Sequence, residues 1–265
     1  MNERLDTARP YLAQLAWRTL LTPALSGPEN MGCDTALMER ARSTGEAVVR
    51  VYSWSTPTLS FGRNQRTGAY DREALARAGI AVVRRPTGGR AILHHREITY
   101  SVTAPVAPGG SIAAEYDWIN ALLLRALRSL GVDAAIAART GRAPAPDANP
   151  CFAEPTAGEI TLGGRKLVGS AQYREAGAML QHGSILISDD QSSLAALAGE
   201  GDTPPPATLE QALGRAPRPA ELHDALLAVI REDGIEPAPV AQAELADSVT
   251  RYVPAFEDPQ WTWRG

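Results

Sequence analysis

Two residues whose types could carry covalent chemistry, Cys151 and Lys166, stand 15 positions apart in a chain of 265 residues. A free thiol with a pKa near ~8.5 is only a few per cent thiolate at neutral pH. An ammonium group within about 4–6 Å lowers such a pKa by roughly one to three units and turns the thiol into a useful nucleophile. A Cys/Lys pair is therefore chemically sufficient to take up an acyl group. From these residues alone two readings of Cys151 stand open, a nucleophile or inert packing, because sequence spacing does not bring side chains together. Cys33 is read as a small buried hydrophobe.

A second constellation is RRPTGGRAILHHREITYSV, residues 84–102. Adjacent glycines, Gly88 and Gly89, allow backbone angles closed to other residues and let main chain approach a ligand closely. Arg84, Arg85 and Arg90 offer rigid cationic forks suited to carboxylate or phosphate; equally they form a solvated rim. The stretch reads as a strand, a tight glycine turn and a strand. Its spacing fits neither GxGxxG nor GxxxxGK[ST], which removes the dinucleotide and P-loop readings. His94 and His95 are neighbours in a strand, so they point to opposite faces and cannot ligate one ion. One of them lines the pocket of the turn. With two cysteines far apart and no CxxC or HxxxH, no metal centre is expected. His182 could orient a reacting group or satisfy a backbone carbonyl, of which the second is expected, and His223 is expected to be solvated.

These residues need elements to position them. WRTLL-like sequence around Leu15–Leu21, AVVRVYSW, TLSFGR, IAVVRR, RAILHH and EITYSV read as strands, and ENMGCDTALMERARS as a helix with Met31, Ala36 and Leu37 on one face. YDREALARAG is a short helix with Asp71 at its N-cap and Gly79 past its end. A longer helix covers about Ala113 to Leu130, with Ile119, Leu123, Leu127 and Leu130 as its buried stripe. ARTGRAPAPDANPCF is a surface loop. GEITL, RKLVGSAQYR and AMLQHGSILI are three strands, the first two joined by a hairpin at Gly163-Gly164. Alternation places Lys166, Val168 and Ser170 on one face unless a bulge intervenes at Gly169. From Asp189 the pattern turns helical, best over Ala220–Glu232. Strands and helices mix without βαβ alternation, so the fold class is α+β with mixed, largely antiparallel sheets. Residues 1–188 form the body and 189–265 a helical C-terminal extension packed on it.

Composition limits the partners. The formal charge of −4 and pI near 5.7 oppose a general nucleic-acid binder. Cysteine usage fits a reducing cytoplasm, and no apolar run approaches the ~18 residues of a membrane span. The N-terminal YLAQLAWRTLL is broken by Gln14 and Arg18, so no signal peptide is expected.

RRPTGGRAILHHREITYSV and GGRKLVGSAQYREAGAMLQHGSILI together resemble the two hallmark motifs of the lipoate–protein ligase and octanoyltransferase superfamily, which includes biotin–protein ligases. NMGCDTALM, YSWSTPTLSFGRNQ and, more weakly, TLEQALGR and QWTWR are similar to further family segments in the same order. NPCFAEPTAGEI resembles the cysteine loop of the octanoyltransferases; ATP-dependent ligases usually carry an asparagine–aspartate pair there. The resemblance implies a biotin/lipoate ligase-like catalytic domain that moves octanoyl from acyl carrier protein, through a cysteine thioester, to a lysine of a lipoyl domain such as glycine-cleavage H protein. It implies Cys151 as nucleophile and Lys166 as the lysine that lowers its pKa. It implies Arg85, Gly88, Gly89, His94, Gly169, Ser170 and Ala171 as substrate-binding residues. No cofactor is then expected, and the enzyme is a cytoplasmic monomer in lipoate biosynthesis. The alternative is an ATP-dependent lipoate–protein ligase, which would need ATP and magnesium and not Cys151. A non-catalytic lipoyl-domain-binding module is a third reading, opposed by the presence of both Cys151 and Lys166.

Overall fold

The computed structural model describes residues 11–138, 158–197 and 204–264. Its strands are β1 (Trp17–Leu21), β2 (Ala47–Tyr52), β3 (Thr58–Phe61), β4 (Ala81–Arg84), β5 (Ile92–His94), β6 (Glu97–Pro105), β7 (Ala134–Ile136), β8 (Ile160–Leu162), β9 (Arg165–Lys166), β10 (Val168–Glu175), β11 (Ala178–Leu186) and β12 (Ala238–Pro239). Its helices are α1 (Gly27–Thr44), α2 (Arg72–Arg77), α3 (Ile112–Ser129), α4 (Gln191–Leu197), α5 (Leu209–Leu213), α6 (Pro219–Glu232), α7 (Ala246–Glu257) and α8 (Pro259–Thr262). The expected α+β class holds, with parallel and antiparallel pairs in one sheet.

The large sheet has six strands in the order β10-β11-β6-β2-β1-β12. β2 is buried along its whole length because it lies between β1, in parallel, and β6, antiparallel. Such a strand reads as a continuous apolar run, AVVRVY, broken by one arginine. On one side of the sheet, α3 and α6 close the main core, in which Ile119, Leu123 and Leu127 meet Leu222, Leu226, Val229 and Ile230. The apolar periodicity of both helices dictates these faces. α1 packs against β6 and β11 and is itself covered by α7. α1 starts at a capping box: the Ser26 hydroxyl accepts from the Glu29 amide, and the Glu29 carboxylate accepts from the Ser26 amide at 2.8 Å.

Two small sheets complete the body, β4-β3-β5 and β7-β8-β9. The first corrects the reading of the glycine turn. β4 and β5 do not pair with each other, because β3 lies between them, parallel to β4 and antiparallel to β5. The residues from Arg85 to Ala91 therefore form a loop that crosses the end of β3 rather than a tight hairpin. Gly163-Gly164 does form the expected hairpin, with Leu162 opposite Arg165 and φ of 57° and 75° at the glycines. The strand beyond it is interrupted. Lys166 pairs in the small sheet with Thr161, and Val168 opens β10 in the large sheet opposite Ile185. The chain changes sheets at Leu167, so alternation cannot be counted through it.

Candidate functional site

The two sequence motifs face each other across a cavity with about 420 Å³ of empty volume. One wall is the large sheet: Gly169, Ser170 and Ala171 on β10, His182, Gly183 and Ser184 on β11, Thr99 on β6 and Tyr52 on β2. The other is the small sheet and its loop: Ser60 on β3, Arg85 and Gly89 in the loop, Ile92 and His94 on β5. Met31 of α1 and Trp54 close the remaining side. Apolar surface dominates the lining, with a few fixed polar groups between.

The loop is held by two of its own arginines, Arg84 and Arg85, which are buried rather than part of a solvated rim. Arg85 donates to the carbonyls of Ser60, Gly88 and Arg90 and to the Ser60 hydroxyl. Arg84 is fully buried and donates to the carbonyls of Gly62, Arg63, Gln65, Trp261, Thr262 and Arg264. Main-chain oxygens are the chief partners of both guanidiniums. Gly89 has φ of 91°, and a Cβ on Gly62 would lie 1.9 Å from the Gly89 carbonyl oxygen. The loop thus seats on a backbone where no side chain fits. Gly62→Ala is expected to lower stability by at least about 2 kcal/mol, read from urea denaturation; an unchanged midpoint would contradict the seating. Gly88 has open space where a side chain would project.

His94 is buried, stacked on Trp54 at 4.0 Å between ring centroids, with Nε2 2.8 Å from the Ser60 hydroxyl. Trp54 donates to the Thr99 hydroxyl, which donates to the buried Glu97 carboxylate. Burial pushes the His94 imidazole below its ordinary value, against the opposing pull of Glu97. His95 turns outward, half exposed, 3.5 Å from Asp190, so the two histidines do point to opposite faces.

Beneath the cavity lies a network that the sequence reading missed. The Asp34 carboxylate, fully buried in α1, accepts from Arg50 at 2.8 Å, Ser101 at 2.9 Å and Tyr52 at 3.0 Å, and faces His182 Nδ1 at 3.2 Å. Arg50 also bonds Asn30 and Thr22. With Nδ1 donating to the carboxylate, His182 Nε2 accepts from the Thr87 hydroxyl at 2.7 Å. His182 therefore pins the glycine loop to the sheet through side chains rather than satisfying a backbone carbonyl. His223 also departs from expectation: its Nε2 sits 2.6 Å from the Thr19 hydroxyl, mostly buried. Two signals for the network were present in the sequence. Arg50 interrupts the otherwise apolar β2 run, and Asp34 sits three residues from both Met31 and Leu37 on the buried face of α1.

Burial alone would raise the Asp34 carboxyl, but Arg50 and His182 outweigh it and hold the group below its ordinary 3.8. A carboxylate depressed in the fold contributes stability above its unfolded value, lost as pH falls through the folded one. A buried histidine depressed from 6.5 likewise costs stability below 6.5, since the unfolded chain then binds more protons. Thermal midpoints are expected to decline from pH 7 to pH 5 as His94 makes itself felt, and more steeply below pH 4 as Asp34 adds to it. A flat profile from pH 7 to pH 3 would contradict both.

Lys166 is buried, and its Nζ donates to Glu159 Oε1 at 2.7 Å. Glu159, which the sequence reading did not single out, lies on the same hairpin face: with Thr161 opposite Lys166, Glu159 is the diagonal neighbour. Ser170, which lines the cavity, is 2.7 Å from the Tyr100 hydroxyl. Burial raises that phenol to about 12, with Gln181 and Ser170 pulling it down and the Glu159 charge adding to the rise. Neither Lys166 nor Glu159 is among the residues that line the cavity; Lys166 lies three positions before Gly169, which is. Cys151 and the loop that carries it lie outside the described residues. Asn120 donates to the carbonyl of Gly158, where the described chain resumes, at 2.8 Å. Cys33 is buried as expected, and burial raises its thiol. Among the described residues no cluster of three or more metal-ligating side chains occurs, and no helix is long and apolar enough to cross a membrane.

Residues 26–231 match the family described as lipoyl protein ligase A/B catalytic domain. The chain belongs to that family. Its relatives include the octanoyltransferase LipM of Kyrpidia tusciae, 47% identical over 68% of this chain and 69% of that protein. The octanoyltransferase LipM of Symbiobacterium thermophilum is 40% identical over 80% of this chain and 84% of its own length. Among solved structures, a lipoate-protein ligase A bound with ATP superposes with a TM-score of 0.77 at 20% identity, over 94% of this chain and 99% of that one. A bi-partite lipoate protein ligase from Thermoplasma acidophilum, described with its E2 lipoyl domain, gives 0.71 at 19% identity over 94% and 96%. These structures establish the lipoate-ligase fold for the chain. Of the residues expected to bind substrate, Arg85, Gly89, His94, Gly169, Ser170 and Ala171 line the cavity, and Gly88 supplies a carbonyl to Arg85.

Proposed function

We propose that this protein is an octanoyltransferase of lipoate biosynthesis, moving octanoyl from acyl carrier protein to a lysine of a lipoyl domain through a thioester on Cys151. The observation that carries the reading is the largely apolar cavity between the two motif-bearing sheets. Relatives named octanoyltransferases, matched over two thirds or more of their length, support the acyl group and the transfer. The acceptor class is supported by the structural neighbour described with its lipoyl domain.

In the first step the Cys151 thiolate attacks the carbonyl of the donor thioester. A new C–S bond forms, the donor's C–S bond breaks, and the carrier's thiol leaves with the proton. In the second step the acceptor amine attacks; the C–N bond forms, the Cys151 C–S bond breaks, and the amine proton returns to the thiol. Each step exchanges one activated acyl bond, so ATP is not consumed. Six methylenes buried at about 0.8 kcal/mol each contribute roughly 5 kcal/mol of recognition. Lys166, oriented by Glu159, supplies positive charge beside the reacting carbonyl.

Incubating the protein with octanoyl-acyl carrier protein and a lipoyl domain should add one octanoyl group to the domain without ATP, read by mass spectrometry. Modification that instead required free octanoate, ATP and magnesium would replace this reading with the ligase.

A further inference from the structure

A cationic, aromatic patch borders the cavity. The segment from Gly62 to Arg90 carries seven arginines against Asp71 and Glu73, in a chain whose net charge is −4. Buried Arg84 and Arg85 hold the loop, and the others look outward. Arg63 lies over the Tyr173 ring at 4.7 Å and donates to its hydroxyl, joining the glycine-loop side of the cavity to β10. Arg264 stacks on Trp261 at 3.9 Å, and Arg72 lies 5.6 Å over Trp263. Arg66 is exposed between Gln65, whose carbonyl Arg84 holds, and Thr67, whose hydroxyl meets the Trp263 carbonyl.

Elsewhere most surface arginines are matched to acids, among them Arg18 and Arg40 to Glu46, Arg125 to Glu232 and Asp233, Arg174 to Glu115 and Arg251 to Glu39, while Arg42, Arg128 and Arg165 are spread singly over the surface and bond carbonyl oxygens. Among the described residues no carboxylate pairs with Arg63, Arg66, Arg72 or Arg264. The nearby acids are engaged: Asp71 and Asp258 cap α2 and α8, Glu73 meets Arg77, and Glu175 faces the Tyr173 hydroxyl. Four uncompensated guanidiniums on a net-negative protein suit an acidic partner surface, whose approach they would accelerate.

We propose that this patch docks the acidic face of the acyl carrier protein that delivers the octanoyl group, a step that rests on the transferase reading above. The choice of donor over acceptor follows from distance. Tyr173, at the patch, lies five residues along β10 from Val168, roughly 17 Å at about 3.3 Å per residue, and Lys166 stands beyond that end of the strand. A donor that carries its acyl group on a long flexible arm can dock that far from the reacting thiol. An acceptor lysine, reaching only by its own side chain, must bring its domain up to the thioester.

The test compares acylation of the enzyme by octanoyl-acyl carrier protein and by octanoyl-pantetheine, in wild type and in an Arg66→Glu/Arg72→Glu variant. The variant should lose about 10- to 100-fold in kcat/KM for the carrier-borne donor, with kcat at saturation kept and the salt dependence flattened. Its rate with octanoyl-pantetheine should stay within about twofold of wild type, which also reports that it has folded. Equal losses with both donors would overturn the proposal. So would a loss confined to transfer from the acylated enzyme to the lipoyl domain, which would assign the patch to the acceptor. A wild type acylated by pantetheine as readily as by the carrier would overturn the docking alone; acylation by neither would overturn the transferase reading with it.

Discussion

Replacing Cys151 with alanine is expected to reduce octanoyl transfer by at least about 10³-fold while leaving thermal stability within about 1 kcal/mol of wild type. The activity loss follows from chemistry. Alanine offers no atom to carry the acyl group, so the two-step route closes, and residual rate comes only from binding and preorganised charge. Substrate should still enter, because the cavity walls belong to β3, β5, β6, β10 and β11 and to the loop fixed by Arg84 and Arg85. The variant should therefore bind octanoyl-acyl carrier protein and fail to turn it over. A variant that transferred octanoyl at a wild-type rate would remove the thioester and leave the ligase chemistry standing.

Breaking the Lys166–Glu159 pair should have the second largest effect, on stability as well as rate. Both side chains are nearly excluded from solvent and meet at 2.7 Å. Removing one side chain of a buried charge pair takes a charge-assisted hydrogen bond from the other, which costs about 1.5–3 kcal/mol. Lys166→Ala and Glu159→Ala should each show that loss in urea denaturation. The double variant should lose less than the sum of the two single losses, because both changes remove the same bond. Transfer should behave differently. Lys166→Ala should slow acylation by roughly 10²-fold, and the double variant should stay slow, since the positive charge beside the carbonyl is still missing. Recovery of activity in the double variant would reduce the lysine to a structural role.

The difference between what was legible and what was not has physical causes. α3 and α6 could be read because an apolar stripe at helical spacing has one solution, burial against a partner. The Gly163-Gly164 hairpin was legible because two consecutive positive φ angles admit few other residues. The partner of each small-sheet strand was not legible. β4 and β5 flank the glycine loop in sequence, yet β3 lies between them, a choice made by tertiary packing. The direction of Arg84 and Arg85 was lost for a related reason. A guanidinium is read as a surface group until the carbonyls that surround it are placed, and those come from residues as distant as Arg264. The Asp34–Arg50 pair and Glu159 each carried a sequence signal, a charge on an otherwise apolar face, but a partner could be assigned only once the strands were in register.

The central claim is tested most directly by the intact mass of the enzyme after incubation with octanoyl-acyl carrier protein and no ATP. One octanoyl adduct is predicted, removed by hydroxylamine and absent from Cys151→Ala. An unmodified enzyme, with lipoyl-domain modification appearing only when ATP and free acid are supplied, would contradict it.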